Sequence, residues 1–170
     1  MLDQDRQAAL EACLLEIERY SAKFGWDQPA RLFALVPTAE LLASSPELAG
    51  QIEETTPGSF SSVEQEDFQS GTDLFSDLVN LSWPEAVSGC ALVTERAFLS
   101  NEFEGEIPED PAEAADFVAN HPRRQDLRIV AGVLRGGHAT CVARLKSQPD
   151  ELLHGDLVPA LTSVLAHTLS

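Results

Sequence analysis

The stretch DLRIVAGVLRGGHATCVARLK, residues 126–146, decides the fold. It contains two apolar runs of strand length, separated by Gly136 and Gly137. Adjacent glycines supply the positive backbone φ angles that a tight two-residue turn requires. The stretch therefore predicts a β-hairpin in which Arg135 lies opposite His138.

This pairing predicts which side chains share each face of the hairpin. The face predicted to meet the core comprises Leu134, Gly132, Val130, Ala139, Cys141, Ala143 and Leu145. The opposite face comprises Arg135, Val133, Ala131, Ile129, His138, Thr140, Val142 and Arg144. Because that second face is too apolar to be bathed in water, the sequence predicts that a helix or a partner covers part of it.

The sequence before the hairpin predicts alternating helices and strands. An amphipathic helix begins at Asp3 or Asp5 and ends at Gly25, where glycine can adopt the left-handed conformation. The following elements are a buried strand (32–36), short helices after Thr38 and Ser45, a long surface loop (about 53–71), a helix (73–81) and a strand (89–98).

Downstream of that strand, an acidic linker (about 100–110) precedes a helix that begins at Asp110 and Pro111 and ends at about Asn120. A last helix, capped by Asp156, follows the hairpin. The chain of 170 residues is therefore predicted to be a single α+β domain, 1–170. Its small, mostly antiparallel sheet has about four strands and is packed by the N- and C-terminal helices.

The first and second halves of the chain share a weak internal pattern. Aligning Trp26 with Trp83 also aligns Ala34–Val36 with Ala91–Val93, so each half runs helix, tryptophan, strand. Four identities suggest a duplication, although these residue types are abundant. Each indole is predicted to be buried at a helix–strand corner, with ligand stacking as the alternative.

Composition argues against two classes of partner. With 28 acidic and 11 basic residues, the formal net charge is −17. This charge opposes binding to nucleic acid and to anionic membranes. The acidic N-terminus does not resemble a signal peptide, and no apolar run has the length of a membrane span. The sequence predicts a cytoplasmic location.

Catalytic and metal-binding motifs are not evident. Cys13, Cys90 and Cys141 are far apart and are predicted to be small buried apolar residues. No two histidines have the i, i+4 spacing that would aim both at one metal, and the common nucleotide, hydrolase and zinc-protease motifs are missing. We predict no metal and no cofactor.

Charge asymmetry is the feature that stands above this background. Six of the 11 basic residues lie within 24 positions. The residues predicted to bind an anion or a partner are Arg123, Arg124, Arg128, Arg135, His138 and Arg144. The alternative is internal pairing with the acidic segment before them, 102–116, and His121 is predicted to stabilise the end of a helix.

Four stretches, in this order, resemble an uncharacterised family of actinobacterial cytoplasmic proteins: GWDQPARLFALVPTAELL (25–42), WPEAVSGCALVTER (83–96), DPAEAADFVANHP (110–122) and RIVAGVLRGGHATCVARLK (128–146). The resemblance covers nearly the whole chain and implies a single domain. The resemblance does not identify any residue of this chain as catalytic.

Two hypotheses of function follow. The first is a non-enzymatic interaction or regulatory protein that contacts a protein partner, or a second copy, through the hairpin face rimmed by arginine. The alternative is a domain or enzyme that binds a small anionic metabolite with the arginine cluster and His138. A concave pocket at the cluster would favour the alternative.

Overall fold

The computed structural model describes residues 3–44, 46–47, 59–66, 68, 74–99, 101–155 and 158–169. Among them are five α-helices, a 3-10 helix and six strands. In chain order these are α1 (Asp3–Ala22), β1 (Arg31–Pro37), α2 (Thr38–Ser44), β2 (Phe60–Glu64), α3 (Leu74–Val79), β3 (Gly89–Phe98), the 3-10 helix (Asn101–Glu106), α4 (Pro111–Asn120), β4 (Gln125–Leu134), β5 (Ala139–Leu145), β6 (Leu152–Gly155) and α5 (Pro159–Thr168).

The strands form one antiparallel sheet in the order β2-β1-β3-β4-β5-β6. The chain is thus an α+β protein, as the sequence predicts, although six strands replace the expected four or so. Every neighbouring pair is antiparallel, so no parallel crossover is needed. The hairpin strands β4 and β5 lie inside the sheet, flanked by β3 and β6.

Helices cover both faces of this sheet. Leu10, Leu14 and Ile17 of α1 are fully or almost fully buried on one face, against Val130 and Val142 of the hairpin. On the other face, α3 and α5 bury apolar residues against the remaining inward positions of β1, β3, β4 and β5. Each face therefore has its own apolar core, and the central strands are buried on both sides. No helix among the described residues has the length and apolarity to cross a membrane.

Helix α1 approaches the hairpin closely at Gly132. A Cβ atom placed on this glycine would lie 2.5 Å from a methyl carbon of Leu14 and 3.2 Å from one of Leu10. The missing side chain lets α1 pack directly against β4. This contact fixes the depth at which the helix lies on the sheet.

The predicted surface loop over 53–71 is wrong in part, because it contains strand β2. Phe60 of β2 is buried, whereas Ser62 and Val63 are exposed. Strand β6 is also absent from the sequence prediction. Both are short strands at the edges of the sheet, where solvent reaches one side, so they lack the long apolar runs that indicated the central strands.

The predicted hairpin register is also wrong, by one residue. The sequence placed Leu134 opposite Ala139, whereas the structure pairs Val133 with Ala139. Residues 135–137 form a three-residue loop, closed by the Leu134 amide donating to the His138 carbonyl oxygen at 2.8 Å. Gly136 and Gly137 do have positive φ, 100° each. The extra loop residue exchanges the faces of every β5 side chain relative to β4.

This exchange changes the hypothesis of a partner on the hairpin face. Arg128, Val130, Val142 and Arg144 share the face that α1 covers. Val133 lies on the opposite face, beneath α5, and is 1% exposed. Among the described residues, helices pack on both apolar faces of the hairpin, so a helix is the covering element, one of the two alternatives that the sequence left open. Contact of the hairpin with a partner or a second copy stays a prediction.

Most helix boundaries agree with the sequence. Asp110 caps α4 by accepting a hydrogen bond from the Glu113 amide at 3.1 Å, and Gly25, with φ of 78°, follows α1. The N-cap of α5 is Val158, which makes no side-chain capping bond. The predicted cap Asp156 lies outside the described residues, as does most of the helix expected after Ser45.

Candidate functional site

The structure does not bring the six predicted site residues together. They divide into three pairs along the chain: Arg128 and Arg144 at the end of the hairpin away from its turn, Arg135 and His138 at the turn, and Arg123 and Arg124 beyond the end of α4. Each pair has different surroundings. The pairs are therefore considered separately.

At the end away from the turn, two arginines share one buried carboxylate. Arg128 Nη1 lies 3.2 Å from Glu18 Oε2, and Arg144 Nε lies 2.5 Å from Glu18 Oε1. The side chains of Glu18 and Arg128 are only 2% and 4% exposed. Burying such charges is tolerated only when they are paired and hydrogen-bonded, so this is an internal ion-pair triad.

Trp26 covers this triad from the loop after α1. The guanidinium carbon of Arg128 lies 4.4 Å from the centroid of the Trp26 ring, and Lys146 Nζ lies 5.7 Å from it. Arg128 Nη2 also donates to the Gly25 carbonyl oxygen at 3.0 Å, near the end of α1. We call Glu18, Arg128, Arg144 and Trp26 the Glu18 network. Its geometry is that of a structural joint between α1 and the hairpin.

Sequence reasoning missed Glu18 and named the wrong acidic partner for these arginines. Arg128 and Arg144 pair with Glu18 of α1, and none of the ion pairs between described residues joins either arginine to the acidic segment 102–116. A signal was present, since Glu18 interrupts the apolar stripe of α1, next to Ile17 and four residues after Leu14. A carboxylate inside an otherwise apolar helix face indicates a polar or cationic partner opposite it.

At the turn, the Arg135 guanidinium is held by carbonyl oxygens. Nε donates to Val87 O at 2.8 Å, and Nη2 donates to Pro84 O at 3.0 Å and Trp83 O at 3.2 Å. Nη1 donates to Leu169 O, at the end of α5. A cation is favoured at a helix C-terminus. None of the ion pairs between described residues includes Arg135, so its charge faces dipoles instead of a carboxylate.

A groove of about 260 Å³ lies beside this arginine. We call it the turn groove, and it is lined by residues 133–139 of the hairpin together with Ala166 and Leu169 of α5. Gly136 and Gly137 are exposed, and His138 is partly buried. The groove is therefore concave, largely apolar and open at the turn, with Arg135 and His138 in its wall.

The third pair lies at the surface. Arg124 Nη1 donates to the Ala119 carbonyl oxygen at 2.6 Å, and Arg124 Nε lies 3.6 Å from Asp126 Oδ1. His121 lies at the C-cap of α4, as predicted, and its ring packs against Phe103 and Phe117. These contacts stabilise the end of α4.

The buried thiols are poor nucleophiles. Burial, with a smaller effect of Glu16, raises the pKa of Cys13 to about 12. Burial also raises the pKa of Cys90 to about 11. Because the thiolate is the reactive form, neither side chain is suited to nucleophilic chemistry at neutral pH. Within the described ranges, no three His, Cys, Asp or Glu side chains come together in a group that could hold a metal ion.

These features define a class of protein: an α+β domain with one antiparallel sheet between helices, an internal ion-pair network, and a groove at one hairpin turn. The chain belongs to the PPA1309-like protein family, whose model it matches over residues 10–170. That description states no activity. No curated protein and no solved structure matches the chain.

Proposed function

We propose that this protein binds a small anionic molecule in the turn groove, as a non-enzymatic binding domain. The observation that carries the proposal is the concave groove of about 260 Å³ beside Arg135, a cation paired with no carboxylate among the described residues. The groove lies where the sequence places Arg135 and His138 together. The cavity that Arg128 lines at the other end of the hairpin has a volume of only about 10 Å³, so the turn groove offers the larger space to a ligand.

The size of the groove limits the ligand. Pockets for drug-sized molecules have volumes of roughly 300 to 1,000 Å³. A groove of about 260 Å³ suits a smaller molecule, such as a short-chain carboxylate or inorganic phosphate. A Cβ atom added at Gly136 or Gly137 would meet no atom within 4 Å, so the space around the turn is open to an incoming ligand.

Charge supports an anion at this place. The protein has a formal net charge of −17, so most of its surface repels anions. The Arg135 guanidinium is an exception, because its hydrogen bonds go to neutral carbonyl groups. Its charge is therefore available to attract a ligand in the groove. Because the guanidinium group is partly buried, salt screens this attraction less than it would at the surface.

The experiment uses Ala166, an exposed residue of α5 in the groove wall. Ala166→Glu places a carboxylate beside the ligand, and Ala166→Gln adds a neutral side chain of the same size. We expect acetate, succinate or inorganic phosphate to raise the Tm of wild type and of Ala166→Gln, because a ligand stabilises the state it binds. Ala166→Glu should lose most of that rise.

Sodium chloride at matched ionic strength controls for general salt effects. Ser163→Glu is a second control, because Ser163 is an exposed position of α5 that does not line the groove. The proposal is wrong if no probe raises the Tm of wild type above the chloride control. It is also wrong if Ala166→Glu and Ser163→Glu respond as wild type does.

A second candidate function is contact with another protein at the end of α1. Tyr20 and Phe24 are 40% and 43% exposed, and their rings pack edge to face at 5.3 Å between centroids. Exposed aromatic residues are typical of protein interfaces. If this surface binds a partner or a second copy, Phe24→Asp should dissociate the complex in analytical ultracentrifugation, whereas Val79→Asp, at another exposed apolar residue, should not.

We also infer the biological setting from the sequence. The resemblance to a family of actinobacterial cytoplasmic proteins supports an actinobacterial source and a cytoplasmic location. Fractionation of cells that produce the protein would test the location, with recovery from the membrane or the medium as the contradicting result.

A further inference from the structure

One buried polar side chain lies outside every interaction described above. Ser21, in the last turn of α1, is 4% exposed, and its Oγ has no hydrogen-bond partner among the described residues. A buried hydroxyl without a partner is unfavourable, because water would have solvated it in the unfolded chain. The position therefore requires an explanation.

Ser21 also lines a small cavity between α1 and the sheet. The cavity has a volume of about 10 Å³ for the centre of a water-sized sphere, which is about the room that one water molecule needs. Its lining comprises Ser21, Gln28, Pro29, Arg31, Val93, Thr94, Glu95 and Arg128. The unpartnered hydroxyl and the cavity thus meet at the same residue.

The charged residues in the lining limit what the cavity can hold. Glu95 brings a carboxylate, which accepts hydrogen bonds from the Asp27 and Gln28 amides at 2.9 Å each. Arg31 and Arg128 bring guanidinium groups. A monatomic ion of either sign would therefore meet like charge, whereas a water molecule can donate to one group and accept from another.

We propose that this cavity is a binding site for one ordered water molecule, which forms the missing hydrogen bond to Ser21 Oγ. The water connects the last turn of α1 to the strands beneath it, at β3 and β4. It lies beside Arg128 and so extends the Glu18 network toward Glu95. This site is separate from the turn groove and does not depend on the function proposed there.

Substitution of Ser21 by alanine distinguishes a hydrated cavity from a dry one by the sign of its effect. If the cavity is dry, Ser21→Ala removes an unsatisfied hydroxyl and raises the Tm. If water is bound, the same change removes one of its partners and lowers the Tm, by about 2 to 6 °C for a chain of this size. Ser163→Ala, at an exposed position of α5, measures the gain in helix propensity alone.

A crystal structure that resolves ordered solvent, from crystals grown in sodium bromide, tests the occupant directly. One peak within hydrogen-bonding distance of Ser21 Oγ, without anomalous signal, would support the proposal. An anomalous peak would show a halide site, and no peak would show a dry cavity, and either result overturns it. A Tm of Ser21→Ala equal to or above that of wild type would also overturn it.

Discussion

The two ends of the β4–β5 hairpin each carry a partly or fully buried arginine, but the two guanidinium groups have different partners. Away from the turn, Arg128 meets the Glu18 carboxylate and the face of Trp26. At the turn, Arg135 meets the carbonyl oxygens of residues 83, 84, 87 and 169. One cation is neutralised inside the fold, and the other keeps its charge beside a groove.

This difference shows why a cluster of arginines in sequence does not define a site. Arg128 and Arg135 are seven residues apart, and both lie on or beside β4. The register of the hairpin and the position of α1 decide which of them meets a carboxylate. We therefore expect ligand binding at the turn and a contribution to stability at the other end.

The largest expected effect is at Glu18. Glu18→Gln preserves the shape of the side chain but leaves Arg128 buried without a counter-charge, so we expect unfolding to become easier by about 3 to 5 kcal/mol. Urea denaturation measures this loss. Glu16→Gln, at an exposed position of the same helix, should change stability by less than about 0.5 kcal/mol. Equal midpoints for the two variants would contradict a structural role of the network.

Trp26 should have the next largest effect. The sequence predicts a buried indole, whereas the structure has it partly buried and stacked on Arg128. Trp26→Ala should cost about 2 to 3 kcal/mol, from lost apolar burial and a lost cation–π contact. Trp26→Phe keeps an aromatic face and should lose less than half of that. A cost for Trp26→Phe as large as for Trp26→Ala would show that the ring face is unimportant.

A smaller effect is expected at Arg135. Arg135→Lys keeps the charge but replaces a planar fork with one ammonium group, which cannot reach the same four carbonyl oxygens. We expect a loss of about 1 to 2 kcal/mol in urea denaturation. Arg123→Lys, at an exposed arginine beyond the end of α4, is the control and should change stability by less than about 0.5 kcal/mol. Equal losses for the two variants would contradict a role of the carbonyl contacts of Arg135.

Much of the fold could be predicted from the sequence, and the exceptions have physical causes. The long central strands and the α4 cap are found where local patterns indicate them. The edge strands β2 and β6 were not predicted. They have only five and four residues, which partly face solvent, so their apolar residues form no recognisable strand pattern. The hairpin register was predicted wrongly because both faces of β4 and β5 are apolar. The alternation of apolar and polar residues therefore does not distinguish one face from the other.

The site could be predicted only in part, because its partners are distant in sequence. Arg135 and His138 do share the turn groove, but the groove requires Ala166 and Leu169 of α5. Glu18 is 110 residues from Arg128.

The proposed Trp duplication stays a prediction. Both halves run helix, tryptophan, strand, but Trp26 stacks on an arginine, whereas Trp83 donates to Thr168 Oγ1 at 2.9 Å.

The smallest expected effect concerns Cys13. Folding raises the pKa of this thiol from 9.0 to about 12 by burial, so the folded state holds the proton more tightly than the unfolded chain. The resulting stability is present below pH 9 and is lost as the pH rises from 9 toward 12. Cys13→Ala should therefore weaken the alkaline decline, by about 1 kcal/mol at pH 10. Urea denaturation at pH 7 and pH 10 measures the difference, and parallel declines would contradict burial of the thiol.

The most direct test of the contrast between the two ends is an NMR titration of the ¹⁵N-labelled protein with acetate, succinate and inorganic phosphate, against sodium chloride. We predict amide shifts confined to residues 133–139 and 166–169 around the turn groove. The amides of Glu18, Trp26, Arg128 and Arg144 should not move. Shifts centred on the Glu18 network, or no shifts beyond those in chloride, would contradict this prediction.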